Sequence, residues 1–188
     1  ALATLALLWG IGELCLLGRI PFVSRRYPRV FCPGVGMQLP PGAEVWSTNG
    51  IDYWIRERAN SLGFMDREHA FPKPPGCYRI LVLGDSYVES LQVTRERKFP
   101  ALLEAELRRR NPGRACEVIA QGYGGAGTSQ ELSLYEQYGR RYSPDLVILV
   151  FTANDFANNS LILSAIRHGW SPDHPPWSLC RRRCRLRA

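Results

Sequence analysis

Three short apolar runs, each ending in a turn, limit the fold more than any other feature. Tyr78–Leu83 (YRILVL) runs into Gly84-Asp85-Ser86. Cys116–Ala120 (CEVIA) leads to the glycine-rich Gly122–Thr128 (GYGGAGT), and Asp145–Phe151 (DLVILVF) closes on Thr152-Ala153-Asn154-Asp155. Apolar runs without strict alternation suit strands covered on both faces. Helical patterns lie between them. Phe99–Arg110 (FPALLEAELRRR) has Pro100 in its first turn, a stripe of Leu102, Leu103 and Leu107, and an arginine triplet at the negative end of the helix dipole before Asn111-Pro112-Gly113 stops it. Ser129–Gly139 is predicted to be the next helix, carrying Leu132, Tyr135 and Gln137. Strand, helix, strand, helix, strand with short joints predicts an α/β fold, a three-layer sandwich around a parallel sheet. Right-handed crossovers then bring all three turns to the carboxyl edge of the sheet, where such folds hold ligands.

Those turns carry residues suited to acyl chemistry. A serine just past a buried strand, Ser86, can attack an acyl carbon once a base removes its proton. The oxyanion that forms needs donors already in place. The backbone N–H groups of Ser86 and Gly125 and the side-chain amide of Asn154 can supply three. Glycine at position 125 permits unusual dihedrals and close approach. Asp85 and Asp155 are acceptors able to orient these groups.

Together the three blocks resemble the SGNH (GDSL-type) hydrolase family. Gly84-Asp85-Ser86 matches the first block, Gly125 the glycine of the second, and Thr152-Ala153-Asn154-Asp155 the Gly-x-Asn-Asp of the third, with Thr152 in place of the glycine. Asn60–Glu68 (NSLGFMDRE) also looks like the Asn-x-x-Gly-x-Arg-Asp segment that precedes the catalytic domain in membrane-anchored bacterial members, with Met65 where Arg is usual. The resemblance implies a flavodoxin-like SGNH hydrolase fold, Ser86 as nucleophile, Gly125 and Asn154 as oxyanion donors, an acyl-ester substrate, and no metal or organic cofactor. Transfer of an acyl group instead of hydrolysis is an alternative, as is an inactive remnant of the fold. The family's base comes from a late Asp-x-x-His block. None of His69, His168 and His174 stands in such a block, so each is expected to be a surface histidine and the domain to be incomplete at its C-terminus.

The remaining sequence is read as flanks. Residues 1–18 (ALATLALLWGIGELCLLG) form an apolar run with one acid, Glu13, about 27 Å long as a helix. A signal anchor or single membrane span is expected, attaching an extracytoplasmic catalytic domain to the membrane. Arg19, Arg25, Arg26 and Arg29 would by themselves favour a cytoplasmic flank, so the orientation stays open. Residues 19–76 are expected to be linker and N-terminal accessory segment, with neither helix nor strand between Pro28 and Gly42 because prolines and glycines crowd it. The hydrolase domain is expected over 77–170 and a disordered basic tail over 171–188. Five arginines of that tail account for most of the net charge of +7, so the body is close to neutral and no nucleic-acid partner is expected. Cys180, Cys184 and His174 lack the second ligand pair that a zinc site needs. Gly122, Gly124 and Gly127 spell a dinucleotide fingerprint, yet after the second strand of the pattern rather than the first.

Overall fold

The computed structural model describes residues 2–16, 29–32 and 35–160. Its centre is a parallel sheet of β5 (Tyr78–Gly84), β6 (Cys116–Gly122) and β7 (Leu146–Val150) in the order β6-β5-β7. Gly84 stands level with Gly122 on one side and Val150 on the other, so the three strands end together. The helices that connect them, α3 (Phe99–Arg110) and α4 (Thr128–Gln137), fall on opposite faces. Alternate residues of β5 show why. Ile80 and Val82 pack with Val118, Ala120, Leu103 and Leu107, whereas Leu81 and Leu83 pack with Ile119 and Leu134. Side-chain alternation along a strand thus divides one apolar run between two cores.

Each helix keeps part of its apolar stripe inside, Leu103 and Leu107 on α3 and Tyr135 on α4, and turns another part out. Leu102 and Leu132 are exposed, while Glu104, Glu131 and Leu134 are buried. Glu104 is inside because β6 is an edge strand whose outward N–H groups need acceptors. The Glu104 carboxylate takes the Val118 N–H at 2.7 Å, and Asp66 takes the Ala120 N–H at 2.8 Å. Two carboxylates therefore stand where a fourth strand would pair, blunting an edge that is otherwise open to association.

The N-terminal part differs from expectation in two places. Pro28–Gly42 is not devoid of regular structure: β1 (Val30–Cys32) and β2 (Gly36–Gln38) form an antiparallel hairpin. A strand pair this short fits between the prolines. A second hairpin joins β3 (Glu44–Thr48) to β4 (Trp54–Arg58). Both are integrated into the domain. Val35 and Phe64 share a core with Leu81, and Leu39, Val45, Ala59 and Met65 enclose Leu91. Asn60 organises the turn between them, accepting from the N–H groups of Leu62 and Phe64 at 3.0 and 2.9 Å. Helix α1 covers Leu2–Leu16, and among the described residues no helix is long and apolar enough to cross a membrane. Residues 17 and 18 of the expected span, His168, His174 and the tail from 171 lie outside the described residues.

At the amino end of β5, Arg79 is fully buried. Its guanidinium donates to the carbonyls of Ala70 at 2.8 Å, Phe71 at 2.9 Å and Tyr142 at 2.8 Å, and pairs with Glu117 at 2.6 Å. Its backbone N–H donates to Asp145, whose own N–H donates to the Arg79 carbonyl. Those bonds set β7 beside β5. Removing a partner from a buried ion pair leaves a charge and several carbonyls uncompensated. Arg79→Met is expected to cost about 3–5 kcal/mol in urea denaturation; a loss below about 1 kcal/mol would contradict this role.

Candidate active site

Gly84 and Gly122 end their strands without a side chain, and Val88 occupies the space this leaves. A Cβ at Gly84 would come within 2.4 Å of Val88 Cγ2, and one at Gly122 within 2.7 Å of Val88 Cβ. The short helix α2 (Ser86–Glu89) can therefore settle on the strand tips with Ser86 as its first residue. Ser86 is exposed, whereas Asp85 before it is fully buried.

Asp85 joins the first turn to the third. Its Oδ1 caps α2 by accepting the Tyr87 N–H at 2.9 Å. Its Oδ2 accepts from Asn154 Nδ2 at 2.8 Å and lies 2.9 Å from Thr152 Oγ1. Thr152 Oγ1 is also 2.7 Å from Asn154 Oδ1 and 3.2 Å from Asp155 Oδ1, and its single proton can be donated to one of these three oxygens at a time. One Nδ2 hydrogen is committed to Asp85 and the other can still be donated. Asp155, the first residue of α5 (Asp155–Asn158), is buried and accepts the Thr152 N–H at 3.2 Å. Both aspartates thus orient the third turn.

The second turn reaches the other two. A Cβ on Gly124 would lie 3.7 Å from Ser86 Cβ. Asn158 Nδ2 donates to the Ala126 carbonyl at 2.9 Å, and Asn159 Oδ1 accepts the Ser129 N–H at 2.9 Å. Gly125 has φ +88°, a left-handed conformation that glycine adopts without strain, and open space where a Cβ would stand. Among the described residues no backbone carbonyl accepts from the amides of Ser86 or Gly125. The turns that carry Ser86, Gly125 and Asn154 therefore meet, through Asp85 and Asn154, Gly124 and Ser86, and Asn158 and Ala126.

Several residues here were not evident from sequence. Thr152 stands in the sequence only as a departure from a glycine, yet its hydroxyl lies within hydrogen-bond distance of Asp85 and Asn154 and can donate to either. Glu131 of α4 is fully buried, and neither carboxylate oxygen has a partner among the described residues. Burial, and then the charges of Asp155 and Asp85, push it up to about 7. His69 is not a surface residue: its side chain is buried, with Nε2 3.1 Å from Asp66 Oδ2 and its ring against Tyr142. That is away from the turns, since the Tyr142 carbonyl binds Arg79 at the amino end of β5. The dinucleotide reading also fails on geometry. Asp145 is bound to Lys73 and Arg79, and Asp155 is buried against Thr152, so neither acid is available to a ribose. Cys77 and Cys116 are free thiols, and the described residues contain no cluster able to hold a metal ion.

The GDSL-like Lipase/Acylhydrolase family model matches residues 82–176, half of the chain. The chain belongs to this family, and its parallel sheet with helices on both faces is the α/β architecture of the SGNH hydrolase fold. Among solved structures it is similar to AlinE4, a SGNH-hydrolase family esterase, at 24% identity and a TM-score of 0.37, over 52% of this chain and 46% of that one. The chain therefore spans less than half the length of that structure. No curated protein matches it.

Glu131 predicts a pH dependence of stability. Its folded pKa is raised above the ordinary 4.5, so the fold disfavours the ionised form. Between about pH 4.5 and 7 the unfolded chain releases this proton first, and stability falls as pH rises, by up to about 1.4 kcal/mol per pH unit. Glu131→Gln is expected to lose that part of the slope. Denaturant midpoints for both proteins across the window measure it, and parallel curves would refute it.

Proposed function

We propose that this chain is a serine acylhydrolase acting on an ester. The Ser86 hydroxyl attacks the acyl carbon while its proton passes to a base. The negative charge that develops on the carbonyl oxygen is received by the N–H groups of Ser86 and Gly125 and the free N–H of Asn154. Collapse of the tetrahedral species expels the alcohol and leaves an acyl-serine, and water attacking that ester releases the acid and restores the hydroxyl. The observation that carries this reading is the buried Asp85 carboxylate, which caps the helix of Ser86 and accepts from Asn154. Family membership supports the reaction class. Substrates with O-acyl groups on a polysaccharide or lipid fit the proposal, and transfer to a second alcohol would use the same acyl-serine. His69 is engaged with Asp66, so the base is sought among His168 and His174 or in a partner group.

A fluorophosphonate probe, which is attacked by a serine that a base has activated, tests this. The full chain is expected to label, Ser86→Ala to stay blank, and Asn154→Ala to label about 10²–10³-fold more slowly, as for loss of one oxyanion donor. A folded parent that does not label would overturn the enzyme reading in favour of an inactive remnant.

We also propose attachment of an extracytoplasmic domain to a membrane through α1. Its support is that Leu5, Leu8 and Trp9, on successive turns of an apolar helix, are all exposed. Extraction of the full chain into aqueous buffer without detergent would remove this proposal.

A further inference from the structure

One amide of the glycine-rich turn is bound to a buried carboxylate. The Gly124 N–H donates to Glu89 Oε2 at 2.8 Å. Glu89 closes the helix that Ser86 opens, and its side chain is 3% exposed. Arg29 Nη2 lies 3.0 Å from Glu89 Oε1 and 2.7 Å from Oε2. Lys98 Nζ donates to the Glu89 carbonyl at 2.7 Å, which fixes the backbone of the same residue. A Cβ on Gly124 would be 3.1 Å from Glu89 Oε2, so turn and carboxylate are already in contact.

A carboxylate taken out of water is costly unless it is paired and hydrogen-bonded. If a bond from α2 to the second turn were all that was needed, a neutral side chain could make it. An ionised acceptor makes a shorter and stronger bond to an amide than a neutral one does. Arg29, which comes from the segment just before β1, offsets the charge. The result is a stiff link between the element that holds the nucleophile and the element that holds Gly125.

We propose that Glu89 is a positioning residue which holds the Gly124–Gly125 turn against Ser86, and that Arg29 makes this hold possible by neutralising it. This rests on the acylhydrolase reading for its consequence in turnover, but not for the link itself. Neither residue touches the reacting atoms. The N-terminal hairpin segment therefore contributes to the spacing of the oxyanion donors, through a contact 60 residues apart in sequence.

The test uses the full chain with Glu89→Ala, Glu89→Gln and Arg29→Ala. With p-nitrophenyl acetate, Glu89→Ala is expected to lower kcat about 10–100-fold, the scale of a donor displaced by an ångström, with KM nearly unchanged. Glu89→Gln, which keeps an acceptor for Gly124, is expected to recover part of the loss. Native-state hydrogen exchange supplies a readout independent of turnover. The Gly124 amide should lose protection in Glu89→Ala and Arg29→Ala while Leu81 and Val82 keep theirs. An unchanged Gly124 amide in folded Glu89→Ala, or an unchanged kcat, would overturn the proposal. If the parent chain does not hydrolyse the ester, the acylhydrolase reading fails, and Gly124 exchange still decides whether Glu89 holds the turn.

Discussion

The carboxylate of Asp85 is where the architecture of this chain meets the chemistry proposed for it. It lies out of water at the tip of the central strand, where an unpaired charge would be costly. Its partners are the Tyr87 N–H on one oxygen and the Asn154 amide with the Thr152 hydroxyl on the other. Satisfying one buried charge therefore fixes the start of the helix that bears Ser86 and the turn that bears Asn154 at the same time. The arrangement is rigid because the charge must be matched, and a rigid set of donors is what oxyanion stabilisation requires.

The other end of the same strand is governed by the opposite charge. Arg79 gathers backbone carbonyls from Ala70, Phe71 and Tyr142 beneath the sheet, and Asp145 brackets its backbone. Between these poles β5 supplies two apolar faces to two helices. Carboxylates also take the place of a strand on the β6 side, where Glu104 and Asp66 accept outward amides. Charged groups here do work that a wider sheet would give to backbone pairing.

The same economy appears at the second turn. Glu89 and Arg29 connect α2, the glycine-rich turn and the segment before β1 by charge-assisted bonds. The N-terminal hairpins are consequently built into the domain and not appended to it. Val35 and Phe64 belong to the core under β5, and Tyr123 donates its hydroxyl to the Val35 carbonyl.

The sequence by itself determined the three strands, the two connecting helices, the parallel sense of the sheet and the three turns, and left the strand order to the structure. These depend on local apolar runs, on proline and glycine punctuation, and on a handedness rule that needs no knowledge of contacts. It also singled out Ser86, Gly125 and Asn154, because each stands in a recognisable block at a strand end. Only the tertiary structure decided that an acid on each helix, Glu104 and Glu131, turned inward beside the apolar residues. Glu104 displaced Leu102 because an edge amide needed an acceptor, and that requirement is invisible along the chain. The hairpin near Pro28 and the contacts of Thr152, Glu89, Arg29 and Glu131 were likewise out of reach. A charge is meaningful only beside the group it pairs with, and those groups come from segments far apart in sequence.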